Sequence, residues 1–171
     1  DIPSILRALK TNLEAGKVEQ GASTITQQLA RNAFLNREKT LRRKVMEAIY
    51  AIKIERKYSK DQILDDYLNE VPYGSNAYGV ETASLVYFKK HAKDLTLDEA
   101  AFLAALTKAP SYYSPYGYHT DELVARKKRI LRQMADMGNW NPLEINAAME
   151  TDTLSKVVPF SQPIDSPHFV F

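Results

Sequence analysis

Thr96-Leu97-Asp98-Glu99-Ala100-Ala101-Phe102-Leu103-Ala104-Ala105-Leu106 opens with a threonine followed three residues later by a glutamate. That spacing is a capping box, in which each side chain satisfies a free backbone N–H at the start of a helix. From Ala100 to Leu106 every residue is apolar, so the helix has no face to turn to water and belongs in the centre of a core. Ala109-Pro110 closes it. The segments on either side follow the same 3.6-residue period. Ile2, Ile5, Leu6, Leu9 and Leu13 form one apolar stripe, stopped by Gly16, and Leu41, Val45, Ala48, Ile49 and Ile52 form another. Ser59 with Gln62 is a second capping box, opening a helix through Ile63, Leu64, Tyr67 and Leu68 that Val71-Pro72 ends.

Tyr73 to Gly79 reads as a loop, and Val80 to Phe88 as a helix. Residues 111–119 form an aromatic surface loop. A helix from Asp121, backed by Val124, Ile130, Leu131 and Met134, runs to Gly138, and Asn141-Pro142 starts a last short one. There is no internal repeat and no set of alternating strands. The expected architecture is one all-α domain over residues 1–150, followed by an extended, proline-containing exit segment over 151–171.

At 171 residues the chain is long enough to bury a core without staples. It has no cysteine, which excludes disulfides, thiolate metal sites and a cysteine nucleophile. His91, His119 and His168 share no metal-ligand spacing, and there is no phosphate-binding glycine loop or nucleophile elbow. No apolar run approaches the ~20 residues that span a bilayer. The first residue is not methionine, and the chain reads as an excised piece of a longer protein. The net charge is +2, but residues 31–60 hold ten basic and three acidic side chains. Such a concentration suits an anionic partner: nucleic acid, phosphate or an anionic membrane.

Four blocks could carry chemistry. In Gly21-Ala22-Ser23-Thr24-Ile25-Thr26-Gln27-Gln28, five of eight side chains are hydroxyls or amides. They could bind sugar or phosphate oxygens at a helix entrance, and a plain helix cap would need only one of them. Arg42-Arg43-Lys44-Val45-Met46-Glu47 places Arg43 and Glu47 four apart, opposite the Leu41/Val45/Ala48/Ile52 stripe. This is either an ordinary surface pair or, since Tyr50 and Ile54 flank Glu47, the lining of a cleft. Lys60 to Asn69 is amphipathic, and Arg126-Lys127-Lys128-Arg129-Ile130-Leu131 sets a basic helix face over an apolar one.

The four blocks, in this order, resemble motifs two to five of the peptidoglycan glycosyltransferase domain, glycosyltransferase family 51, of class A penicillin-binding proteins. Those motifs are Gly-x-Ser-Thr-Ile-Thr-Gln-Gln, Arg-Lys-x-x-Glu, Lys-x-x-Ile-Leu-x-x-Tyr-Leu-Asn and Arg-Arg-x-x-Val-Leu, with Lys127 and Ile130 departing from the last. The first motif, which contributes the principal catalytic glutamate, is not in the sequence. The resemblance therefore implies a piece that binds but does not turn over. It implies a lysozyme-like, mainly α fold with a small lobe facing the membrane and a mobile stretch around residues 31–40.

The implied reaction polymerises lipid II onto a growing glycan strand. An acceptor 4-hydroxyl displaces polyprenyl diphosphate with inversion, at the extracytoplasmic face of the bacterial membrane, to which the longer protein is anchored. By resemblance Glu47 is the second essential glutamate. Arg31, Lys39, Arg43 and Lys44 hold the diphosphate, while Ser23, Thr24, Thr26, Gln27 and Gln28 contact sugar and phosphate oxygens. Lys60, Tyr67 and Asn69 support the cleft. A divalent metal, Mg or Mn, is a possible cofactor, and moenomycin is the expected inhibitor. The rivals are a lytic transglycosylase of related fold, which needs neither the hydroxyl–amide block nor a basic donor site, and a nucleic-acid-binding helical module, which leaves that block unexplained. No nucleic-acid partner is expected.

Overall fold

The computed structural model describes residues 24–34, 40–138 and 140–159. Among these residues lie seven α-helices and one two-stranded hairpin: α1 (Ile25–Phe34), α2 (Leu41–Lys57), α3 (Lys60–Glu70), β1 (Pro72–Gly74), β2 (Ala77–Tyr78), α4 (Val80–Phe88), α5 (Leu97–Leu106), α6 (Thr120–Asp136) and α7 (Pro142–Glu150). The mainly α reading holds. The stripe from Ile2 to Leu13 lies outside the described residues. So do residues 35–39 of the stretch expected to be mobile, and so does the tail from residue 160.

The chain divides between Glu81 and Thr82 into two compact units. In the first unit α1 packs on both α2 and α3. Thr26, Gln27, Leu29 and Ala30 form its buried face, while Ile25, the one bulky apolar residue of its opening block, is 44% exposed.

Helix α2 also departs from its apolar pattern. Lys44, Glu47, Ala48 and Ala51, at i, i+3, i+4 and i+7, are its buried residues, and Ile49 is 40% exposed. Of the expected stripe, Ala48 keeps its place and Ile52 packs beside it. The face turns because small alanines let the neighbouring helices approach, and because Lys44 and Glu47 neutralise each other and can be buried together.

The Tyr73–Gly79 stretch is not a loop but an antiparallel hairpin. Ser75 and Asn76 occupy its two-residue turn with φ of 49° and 58°, the mirror-image geometry that matches strand twist. Gly79 follows with φ +80°, its nitrogen 3.1 Å from the Val71 carbonyl.

In the second unit α5 is the central helix expected from its sequence. Ala101, Phe102, Leu103, Ala105 and Leu106 are buried, and α6 and α7 pack on it and on each other. Phe102 meets Phe88 edge to face at 5.8 Å. The buried positions of α6 are Leu123, Lys127 and Leu131; of the expected stripe Leu131 is buried, Ile130 and Met134 pack beside it, and Val124 is half-buried. The segment after residue 150 does not leave at once. Val158 N donates to Tyr87 O at 2.9 Å, and the Tyr116 hydroxyl donates to Val158 O at 2.7 Å.

A polar network stiffens this unit. Asp98 accepts from the hydroxyls of Thr96 (2.7 Å) and Thr153 (2.8 Å) and from Lys156 Nζ (2.9 Å). Glu99 accepts from Thr96 N at 2.9 Å and from Lys90 Nζ at 2.7 Å. Lys127, 1% exposed, donates to Ala148 O, Thr151 O and Thr153 Oγ1 at 3.1, 2.8 and 2.9 Å. An ammonium there meets the carbonyl end of α7, where a positive charge is favoured. Arg126 Nε donates to Ala105 O at 3.1 Å. The fifth block is thus a brace inside its own unit.

Two outcomes follow. Burial pushes the Asp98 and Glu99 carboxyls up, but their bonds to Thr96, Lys156 and Thr153, and to Lys90 and Thr96, outweigh it and hold both below their ordinary values. Their stabilising contribution is therefore complete near neutrality. It is lost as pH falls below about 4, where the unfolded carboxyls protonate first. Melting temperature against pH should drop on the acid side, and Asp98→Asn should flatten that drop. Gly79→Ala should destabilise the first unit by about 1–3 kcal/mol, because its Cβ would sit 2.6 Å from the Asn69 carbonyl oxygen at a positive φ. A denaturant titration with an unchanged midpoint would contradict this.

Candidate functional site

The residues singled out by sequence gather on the three helices of the first unit. Thr24 and Gln27 begin the set, and they form a third capping box that the sequence reading passed over. Thr24 N donates to Gln27 Oε1 at 3.1 Å and Gln27 N donates to Thr24 Oγ1 at 3.2 Å. Two of the five hydroxyl and amide groups are thus engaged in starting α1. Gln27 is 1% exposed and braces the start of the helix. Thr26, 4% exposed, donates its hydroxyl to Glu55 Oε1. Gln28 stays half-buried and accepts from the Tyr67 hydroxyl of α3 at 3.4 Å. Arg31 lies four residues beyond Gln27 in the last turn of α1 and is half-buried. Ser23 and Lys39 lie outside the described residues.

The first turns of α2 carry the charged group. Thr40 caps the helix by accepting from Arg43 N at 3.2 Å. One turn further on, the Glu47 carboxylate is 1% exposed and sits between two cations. Lys44 Nζ is 2.7 Å from Oε2, and Arg43 Nε is 3.2 Å from Oε1, without the alignment of a hydrogen bond. The surface-pair reading of Arg43 and Glu47 is overturned, and the side of α2 bearing Glu47 is covered, as Tyr50 and Ile54 suggested. Lys44 is itself 5% exposed, so its charge is turned to Glu47 inside the unit. Arg43, with 16% of its side chain exposed, is the member of the trio that also reaches the surface.

Eight residues along the same helix, about 12 Å at 1.5 Å per residue, a second carboxylate is held in a comparable way. Glu55 takes the Thr26 hydroxyl on Oε1 and Lys60 Nζ on Oε2, with 6% of its side chain exposed. Burial pushes its carboxyl up, and the bonds from Lys60 and Thr26 help bring it below the ordinary range. Lys60 therefore joins α3 to α2. Tyr67 joins α3 to α1. Asn69 is exposed and lies on the rim of a groove of about 200 Å³ whose floor includes Leu29, Phe34 and Ile54. Phe34 stacks on Tyr50 at 5.5 Å beside it.

Sequence reasoning missed Glu55. It falls after a run of alternating basic and apolar residues, and its signal, a carboxylate five before a lysine across a helix break, is visible only once α2 and α3 are known to meet.

Among the described residues no group of three histidine, cysteine, aspartate or glutamate side chains could hold a metal ion. Glu47, the carboxylate that could have contributed, already faces two cations.

The comparisons agree with the motifs. A family model described as Transglycosylase matches residues 1–135. Penicillin-binding protein 1A of Aquifex aeolicus is 50% identical over 149 residues, which is 87% of this chain and 20% of that protein. Penicillin-binding protein 1A of Escherichia coli is 50% identical over 138 residues, 81% of this chain and 16% of that one. Penicillin-binding protein 1F of Bacillus subtilis is 49% identical over 138 residues, 81% and 19%. The chain spans about a fifth of the length of these relatives. The motif order, the helical architecture and these similarities agree, and the chain belongs to the transglycosylase family, as a peptidoglycan glycosyltransferase domain of the kind class A penicillin-binding proteins carry.

Proposed function

We propose that this domain extends glycan strands from lipid II, transferring the growing chain from its polyprenyl diphosphate to the 4-hydroxyl of an acceptor sugar with inversion. The observation that supports it best is the Arg43–Lys44–Glu47 group. A buried carboxylate fixes two cations at the start of a helix that also exposes Arg42, Lys53, Arg56 and Lys57. The leaving diphosphate gathers negative charge as the glycosidic bond breaks, and a cation already held in place, Arg43, which reaches the surface where Lys44 is turned inward, stabilises it without reorganising. Arg43 and Arg31, with Lys39, are the groups we assign to that diphosphate. Gln28 and Thr24, both half-buried, remain the candidates for sugar contact in the hydroxyl–amide block.

Glu47 is assigned to orientation. Both its oxygens face cations inside the unit, so it is not placed to take a proton from a sugar hydroxyl. By the family resemblance the general base is the first-motif glutamate.

The same reading places the reaction at the extracytoplasmic membrane surface. No helix among the described residues is long and apolar enough to cross a membrane, and lipid II and the growing strand are the partners. Incubating the full-length protein that carries this chain with purified lipid II tests the assignment. Polymer supports it, and release of anhydro-sugars from finished glycan without polymer would favour a lytic enzyme.

Glu47→Gln should abolish most polymerisation and also lower stability. It leaves Lys44 an amide oxygen in place of a carboxylate inside the unit, a loss of about 1–3 kcal/mol. Turnover and thermal melting together check this, and wild-type values for both would reduce Glu47 to a bystander. Moenomycin affinity should fall as salt rises, since exposed charges are screened over about 8–10 Å. Replacing Arg31 and Lys39 with Ala should weaken it by about tenfold or more, close to 1.4 kcal/mol. Replacing the exposed Arg129 and Arg132 should leave it unchanged. Calorimetry showing equal losses from both pairs would place the anion site elsewhere.

A further inference from the structure

Among the described residues each pair of α1, α2 and α3 is joined by a polar bond between side chains, and two of these bonds end on one residue. Thr26 of α1 and Lys60 of α3 both donate to Glu55 of α2, one to each carboxylate oxygen. The third bond runs from Tyr67 of α3 to Gln28 of α1. Glu55 shows 6% of its side chain and Thr26 is 4% exposed, so neither group is placed to contact a substrate. Leu29, Ile63 and Tyr67 supply bulky packing in this unit, but the face of α2 beside Glu55 is lined by small residues. Ala30, Ala48 and Ala51 are buried there at 0–1% exposure, and alanines present a smooth surface with little to interlock. The Glu55 carboxylate, bonded to the buried Thr26 hydroxyl and to the more exposed Lys60 ammonium, adds a directional tie, since hydrogen bonds tolerate only small displacements. Removing one partner of such a buried group leaves the other uncompensated, which is costly.

We propose that Glu55 is a positioning residue for the donor site. Through Thr26 it sets the register of α1, which carries Gln28 and Arg31, against α2, which carries Arg43. Through Lys60 it sets α3 against the same helix. The inference rests on the reading that Arg31 and Arg43 share one diphosphate. If they do, a small slide of α1 separates two charges that must meet one ligand, and donor affinity falls while the folded unit persists. Diphosphate charge is present before the reaction as well as during it, so the loss falls mainly on KM.

The test is steady-state polymerisation of lipid II by the full-length protein carrying this chain, with melting measured in parallel. Glu55→Met keeps the length of the side chain and removes both acceptors. Thr26→Val keeps shape and removes the hydroxyl, and Thr26→Ser restores it. Glu55→Met and Thr26→Val should each raise the donor KM about tenfold, with kcat changed less than about threefold. Thr26→Ser should stay within about twofold of wild type. The double variant should be no worse than Glu55→Met alone, because the two residues act through one bond. A wild-type KM in Thr26→Val, equal losses for Val and Ser, or multiplied effects in the double variant would overturn the proposal. If Glu55→Met does not fold, the Thr26 pair decides. A wild-type protein that makes no polymer from lipid II overturns the donor reading and this inference together. Polymer from the wild type with unaltered KM in the variants overturns this inference alone.

Discussion

A carboxylate taken out of water must be given partners, and the first unit is arranged around that requirement twice on one helix. Glu47 and Glu55 are both buried in α2. Leaving either unpaired would cost several kcal/mol, so the surrounding cations and hydroxyls are not free to be elsewhere. Lys44 must turn inward, Arg43 must lie along the helix, Thr26 must face α2 although it is polar, and Lys60 must start α3 where it can reach back. The exposure of Ile25 and Ile49 follows from the same rotation of α1 and α2.

This changes the meaning of the basic stretch over residues 31–60. Counted along the chain, it is one field of ten cations. In the folded unit Lys44 and Lys60 are matched to internal carboxylates, Arg43 is shared between Glu47 and the surface, and Arg42, Lys53, Arg56 and Lys57 remain at the exterior. Lys44 is turned inward to its counterion, whereas the exterior cations are open to an anionic surface or ligand. A donor with a compact diphosphate and a long apolar tail beside a membrane presents both kinds of target.

The helices were legible because their signals are local. The Ser59–Gln62 and Thr96–Glu99 boxes, Gly138 with φ +70° and Pro142 at the start of α7 mark boundaries within three or four residues. The motif residues were legible by resemblance. What could not be read was which face of α2 is buried, since that depends on whether Lys44 and Glu47 meet each other before they meet water. Glu55 was invisible for a related reason: its partners lie 29 residues before it and five after it. The Ser75–Asn76 turn was passed over because its two residues supply no glycine, the usual sign of positive φ. The role of Lys127 was hidden because a basic residue within a basic run gives no hint that it is buried while Arg126 and Lys128 are half-buried and Arg129 is exposed.

Lys127 has a consequence of a different kind. Its three N–H bonds match three acceptors, so the amine has no free face from which a reagent could approach while the second unit is closed. The nearby Lys128 and Lys156 have no such enclosure. An amine-modifying label should therefore mark those two promptly and Lys127 only when α6 and α7 part. The chain thus carries a built-in clock for the opening of that unit, readable by peptide mass without introducing any foreign probe.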